Sequence, residues 1–173
     1  MHRRHAQAFL LVITTFLLGA AGAKSPHAHA EVAALGNSGV SGSIQFSYIE
    51  GGILVTGTLK GLAPNSTRGF HLHDKGDCSA PDGMSAGGHF NPMKVPHGAP
   101  DSDHSHFGDL GNVVADAAGV ATINVKKMGP TIGGGESSII GRAVIVHALK
   151  DDLTTQPTGA AGARVACGVV VAD

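Results

Sequence analysis

The sequence predicts an all-β domain, a sandwich or barrel of short strands. Three observations carry that prediction. Apolar and polar residues alternate with period two over several short runs, turn residues separate those runs, and no convincing amphipathic helix appears beyond the N-terminal region. The 26 glycines, the absence of Trp and the sparse charge suit short strands joined by turns better than long helices. A length of 173 residues suffices for one domain with a sizeable core.

The chain opens with a positive start at Arg3-Arg4, an apolar run from Phe9 to Leu18 and the small-residue pattern Ala21-Gly22-Ala23. Residues 1–23 therefore read as a secretory signal peptide, with a second candidate cut after Ala30, which leaves a domain of residues 31–173. The apolar run is short for a membrane span. His27-Ala28-His29 reads as solvated leader or linker, with weak metal capture as the alternative. Loss of residues 1–23 removes two arginines and no acid, and leaves a net charge of about −3. With no basic stripe, nucleic acid is an unfavoured partner, and no membrane contact is expected after cleavage.

The strands follow in order. Val40, Gly42, Ile44, Phe46 and Tyr48 alternate with polar residues, which marks a half-buried strand. Glu50-Gly51-Gly52 makes a hairpin turn into Ile53, Val55, Gly57 and Leu59. Arg68 to His73 is a short strand that carries two histidines. Val113–Ala115 and Val120–Val125 flank a turn at Asp116–Gly119. Arg142 to His147 is rich in β-branched residues, and a second loop runs from Asp151 to Ala163. Arg164 to Val171 closes the chain, with Val165, Cys167, Val169 and Val171 read as one face.

The stretch Gly69–Asn112 has a different character. It is poor in Val, Ile and Leu and holds His71, His73, His89, His97, His104 and His106, six of the 11 histidines. Long loops of this kind are usually functional, and histidine is the commonest metal ligand. On a strand, His71 and His73 share a face with their bases about 7 Å apart. His147, from another strand, could add a third nitrogen, and an all-imidazole set suits Cu(II). His97, His106 and Asp109 with one more imidazole would make a three-nitrogen, one-oxygen set that suits Zn(II). His89 lies between the two groups in sequence. Four ligands for each ion need one more donor than is present, and one shared, deprotonated imidazole would close the count. His104 reads as exposed, and Asp101 and Asp103 as solvated loop acids. In an oxidising compartment Cys78 and Cys167 can pair, the alternative being two buried thiols.

Four motifs carry a resemblance: Gly-Phe-His-Leu-His at 69–73, Gly-His-Phe-Asn-Pro at 88–92, Gly-Asp-Leu-Gly-Asn at 108–112 and Gly-Ala-Arg-Val-Ala-Cys-Gly-Val at 162–169. In combination they resemble copper/zinc superoxide dismutase, of the exported bacterial type. The resemblance extends from about Val40 to the C-terminus. It implies an eight-stranded antiparallel Greek-key β-barrel or sandwich with two long functional loops. It implies copper on His71, His73, His89 and His147, and zinc on His89, His97, His106 and Asp109. Asp151 matches a carboxylate that orients one copper and one zinc ligand, Cys78–Cys167 matches the family disulfide, Thr158 matches a channel wall, and Arg164 matches the arginine that attracts the anion. The implied activity is dismutation of superoxide to dioxygen and hydrogen peroxide by alternate reduction and oxidation of copper. His89 and Arg164 are then the catalytic residues.

The chain also departs from the family pattern. Cys78 follows His73 by five residues, a closer spacing than in cytosolic eukaryotic members. Asp152–Thr158 is short and lacks the Glu and Lys residues of eukaryotic loops, and Pro157 stands where a lysine would be. Steering is thereby left to Arg164, the metals and Lys75 or Lys94. Asp74-Lys75-Gly76 replaces an apolar residue of the eukaryotic dimer contact, which leaves a homodimer open. The competing functions are an exported copper/zinc buffer or chaperone and a metal-stabilised structural module; neither has a use for Arg164 and four copper ligands together. The expected location is the periplasm or another secreted compartment.

Overall fold

The computed structural model describes residues 27–173; the expected leader at 1–23 lies outside the described residues. The strands are β1 (His27–Ala34), β2 (Ser41–Ile49), β3 (Gly52–Lys60), β4 (Thr67–His73), β5 (Asp109–Val114), β6 (Ala121–Met128), β7 (Ala143–His147), β8 (Arg164–Val169) and the two-residue β9 (Val171–Ala172). Among the described residues the only helical element is a 3₁₀ turn at Met84–Ala86, and no helix is long and apolar enough to cross a membrane. Eight strands form one antiparallel path, β5-β4-β7-β8-β1-β2-β3-β6, and β9 pairs with β1. The end strands β5 and β6 lie side by side, so the path curls into a nearly closed barrel and leaves little free edge. The β3–β4 and β6–β7 connections cross the ends of this barrel, as in a Greek key.

The period-two reading of the sequence positions the core. Ile44 and Phe46 of β2, Ile53, Val55 and Leu59 of β3, and Ala121 and Ile123 of β6 fill the interior. Tyr48 pairs with the buried Ile53 but is itself exposed, so the inward reading of β2 holds only as far as Phe46. Phe70 and Leu72 of β4 face inward, paired with Val146 and Val144 of β7. The alternate residues, His71 and His73 on β4 and Ala143, Ile145 and His147 on β7, stand on the opposite face. Two loops cover that face, residues 74–108 and 148–163.

Two sequence expectations are corrected. Ala166 and Val170 face the main core, whereas Cys167 faces a smaller cluster with Ala86, Ala143 and Ile145; Val171 is exposed. A register irregularity between Val146 and His147 shifts the pairing with β8, so one continuous alternation from Val165 to Val171 does not hold. Residues 27–30 are not solvated leader. They begin β1, with Ala28 opposite Phe46 and Ala30 opposite Ile44, and both alanines are fully buried. The signal was weak because alanine gives little apolar contrast.

Cys78 and Cys167 form a disulfide that ties the first loop to β8 across 89 positions of sequence. In the chain-entropy account, closing such a loop stabilises the fold by about 4–5 kcal/mol.

Cleavage after Ala30 would strip half of β1 and expose Phe46 and Ile44. If a leader is removed, the remaining chain is therefore expected to begin upstream of His27, with Lys24 as the first residue by N-terminal sequencing. A mature chain starting at Glu31 would contradict this reading of β1.

Candidate metal centre

Six imidazoles and two carboxylates meet on the covered face of the barrel. β4 supplies His71 and His73, β7 ends at His147, and β5 begins at Asp109, which lies in register with His71. His89 is carried past them by a segment that docks on β4: His89 bridges His73, and Phe90 N donates to Leu72 O at 2.8 Å. Two groups of potential donors result, each with all its ligand atoms within 4.8 Å of one another. They are His71, His73, His89 and His147, and His89, His97, His106 and Asp109. His89 belongs to both.

Hydrogen bonds to outside groups fix which nitrogen is free in four of the six rings. Asp151 Oδ2 accepts from His71 Nε2 at 2.7 Å, and Asp151 Oδ1 accepts from His97 Nε2 at 3.0 Å. The Gly87 carbonyl accepts from His73 Nδ1 at 2.9 Å, and the Gly162 carbonyl from His147 Nδ1 at 3.1 Å. A carbonyl or ionised carboxylate only accepts, so these four nitrogens carry the protons. In neutral rings the lone pairs then sit on His71 Nδ1, His73 Nε2, His97 Nδ1 and His147 Nε2. His71 Nδ1 and His89 Nε2 are buried with no hydrogen-bond partner. His73 Nε2 and His147 Nε2 face each other at 3.3 Å, two lone pairs with no proton between them.

The second group repeats this pattern around one oxygen. Asp109 Oδ1 lies 2.9 Å from His89 Nδ1, 2.9 Å from His97 Nδ1 and 3.1 Å from His106 Nδ1. Backbone N–H groups of Gly98 and His106 donate to Asp109 Oδ2, at 3.0 and 2.9 Å, and aim the carboxylate. Both groups could hold a cation: the all-nitrogen set suits copper and the three-nitrogen, one-oxygen set suits zinc.

Burial favours the neutral form of three of these rings, and His97 is the exception. Burial lowers His89 to about 4 and His147 to about 3, and it also lowers His73. Burial works against His97 too, but the hydrogen bonds it donates to Asp109 and Asp151 prevail and raise it to about 9, so that without a cation each carboxylate faces a ring proton. For Asp109 burial is outweighed by its three imidazole neighbours, and for Asp151 by His71 and His97; both carboxyls are held well below the usual range.

Four further residues hold the loops and were not visible as site residues in the sequence. The Asn112 side-chain amide brackets the Asp151 backbone, donating to its O at 3.0 Å and accepting from its N at 2.8 Å. The Gln156 side-chain amide does the same to His97, accepting from its N at 2.8 Å and donating to its O at 2.9 Å. Lys127, buried in β6, donates to Pro100 O at 3.1 Å and Ser105 Oγ at 2.6 Å, and so secures the loop beside His106. The clue to Lys127 was its phase, since it shares the inward register of Ala121 and Ile123. Gly159 has φ +66°, and a Cβ there would collide with Asp151 Oδ1 and His97 Nε2.

Beside the first group lies an open depression of about 400 Å³, lined by His73, Asp82, Met84, His147, Thr158 and Arg164, among others. Arg164 donates to the carbonyls of Gly83 at 2.6 Å and Gly87 at 2.5 Å, which fixes its guanidinium at this wall. Lys94 lines a different depression with Asp74, Glu136 and Arg142, and His104 is exposed and joins neither group.

Fold and donor sets together describe a two-cation β-barrel protein. Comparison with known proteins gives the family: residues 40–170 match the copper/zinc superoxide dismutase (SODC) family. A Mesembryanthemum crystallinum protein named superoxide dismutase [Cu-Zn] 2 is 47% identical over 143 residues, 78% of this chain and 89% of the relative. A Caenorhabditis elegans extracellular superoxide dismutase [Cu-Zn] is 42% identical over 135 residues, 75% of this chain and 60% of the relative. Among solved structures, the clock protein EA4 superposes with TM-score 0.76 at 38% identity, covering 87% of this chain and 97% of that one. The chain belongs to the copper/zinc superoxide dismutase family. It is an oxidoreductase that dismutates superoxide, with copper and zinc as cofactors.

Two predictions follow from the cluster. Gly159→Ala should push the second loop off the Asp151–His97 contact and weaken zinc binding by about tenfold, measured by chelator competition; unchanged affinity would contradict the close packing. For the metal-free protein, depressed His89 and His147 contribute stability that is present above about pH 6.5 and lost as pH falls through about 4 and 3. The raised His97 contributes stability that is present below about 6.5 and lost as pH rises through about 9. The melting temperature of the metal-free protein should therefore peak near neutrality and fall on both sides, which a calorimetric pH series would test.

Proposed function

We propose that His71, His73, His89 and His147 hold copper, that His89, His97, His106 and Asp109 hold zinc, and that the ring of His89 is shared between them. The observation that carries this assignment is the direction of the free nitrogens, above all the two orphaned atoms His71 Nδ1 and His89 Nε2. When bound, copper supplies a one-electron redox couple and zinc supplies fixed charge without redox chemistry.

The chain's own residues do the rest. Asp151 fixes the tautomers of His71 and His97 at once, so one carboxylate orients a ligand of each ion. Arg164 places a cationic fork in the depression that leads to His73 and His147, where a small anion is attracted and held. Thr158 forms part of the same wall. His89 Nε2 is the atom at which a proton is taken up and passed to the reduced product. Two superoxide anions and two protons give one dioxygen and one hydrogen peroxide. A copper/zinc buffer or chaperone is the less favoured reading, because storage has no use for an anion-attracting arginine at the open side of the copper ligands.

The leader-like residues 1–23, the Cys78–Cys167 disulfide and the likeness to an extracellular relative support export, to the periplasm if the cell is bacterial. Whether two copies pair is left to the surface around Asp74-Lys75-Gly76.

Activity in a superoxide assay should follow copper content and vanish on copper removal. Activity that survives copper loss, or none despite full copper, would overturn the assignment. Arg164→Ala should lower the rate by about tenfold with metal content unchanged, and Arg164→Lys should restore part of it together with its salt dependence. An unchanged rate in Arg164→Ala would remove Arg164 from the mechanism.

A further inference from the structure

The open depression does not reach all four proposed copper ligands equally. His73 and His147 line it, whereas His71 and His89 do not. Copper arriving by this route meets His73 Nε2 and His147 Nε2 first, and both carry free lone pairs because their Nδ1 atoms donate to carbonyls. Of the residues that line the depression, only Met84 carries sulfur.

Met84 is 61% exposed, and its backbone is firmly held. It begins the 3₁₀ turn between Gly83 and Gly87. Arg164 grips the carbonyls of both glycines, the Gly87 carbonyl also accepts from His73, and Met84 N donates to Asp82 Oδ1 at 2.9 Å. The thioether is thus tethered at the mouth of the depression while its side chain stays free to move. A single exposed methionine is ordinary on a protein surface. What distinguishes Met84 is that it lines the same depression as two imidazoles whose free nitrogens already converge.

We propose that Met84, His73 and His147 form a capture site for Cu(I) at this mouth, which binds copper before His71 and His89 complete its coordination. The proposal rests on the copper ligand set given above. Thioether sulfur is soft and selects Cu(I) over Cu(II) and Zn(II). Arg164 and Asp82 line the same depression and offset each other in charge, so the preference for Cu(I) rests on the sulfur. Loss of the weak sulfur donor in exchange for buried imidazoles gives the transfer its direction.

Met93 is the internal control. It is also 61% exposed, but it sits between Pro92 and Lys94, which line the separate depression with Asp74, Glu136 and Arg142; His89 lines that depression too, but neither His73 nor His147 does. The test uses the full mature chain, stripped of metal and resupplied with zinc, and follows anaerobic Cu(I) transfer from a chromophoric Cu(I) chelator. Met84→Leu should slow Cu(I) capture by about tenfold, the worth of one weak donor. Met93→Leu should load at the wild-type rate, and neither variant should change Cu(II) uptake. In His71→Ala, where copper cannot complete its seat, X-ray absorption of bound Cu(I) should contain a sulfur scatterer that disappears when Met84→Leu is added. Wild-type Cu(I) rates in Met84→Leu, equal slowing of Cu(II), or no sulfur scatterer would overturn the capture site alone. Failure of the wild-type chain to take up copper would instead overturn the ligand assignment beneath it.

Discussion

Buried lone pairs aimed at one another are the constraint on which this structure depends. His73 and His147 face nitrogen to nitrogen, and three imidazoles crowd one oxygen of Asp109. Removed from water, such an arrangement costs several kcal/mol unless protons or cations intervene. Protons satisfy only part of it, since Asp151, Gly87 and Gly162 have already claimed the far side of four rings. Two cations, placed as proposed, would satisfy the whole.

The barrel makes that arrangement affordable in geometric terms by dividing each strand between two tasks. On β4, Phe70 and Leu72 fill the core while His71 and His73 build the site. On β7, Val144 and Val146 do the first and His147 the second. The proposed ligands on strands are therefore as rigid as the sheet, whereas His97 and His106 lie on a loop whose order depends on its clamps: Asp109, Gln156, Lys127 and the disulfide. Asp151 joins the two regimes, with one oxygen on a strand histidine and the other on a loop histidine.

Much of this was legible in the sequence, and for physical reasons. Period-two alternation marks β2 and β3 because each has one wet and one dry face. His71-Leu72-His73 announces a shared face by its spacing alone. The donor count pointed to a shared ring because seven side chains cannot fill eight positions. Other features were hidden. β1 escaped notice because Ala28 and Ala30 are small, and the phase of β8 was misread because an irregularity opposite His147 resets it. The amide clamps of Asn112 and Gln156 have no sequence signature, since they pair with backbone atoms brought near only by the fold. Lys127 alone among the missed residues left a trace, a charge on the inward side of an apolar alternation.

The account stands or falls on the ring of His89. Diffraction data from the loaded protein, collected on either side of the copper and zinc absorption edges, test it most directly. Copper is expected at Nε2 of His89 with His71, His73 and His147, and zinc at its Nδ1 with His97, His106 and Asp109. A single ion at that ring, or two ions that leave it uncoordinated on either side, would contradict the account.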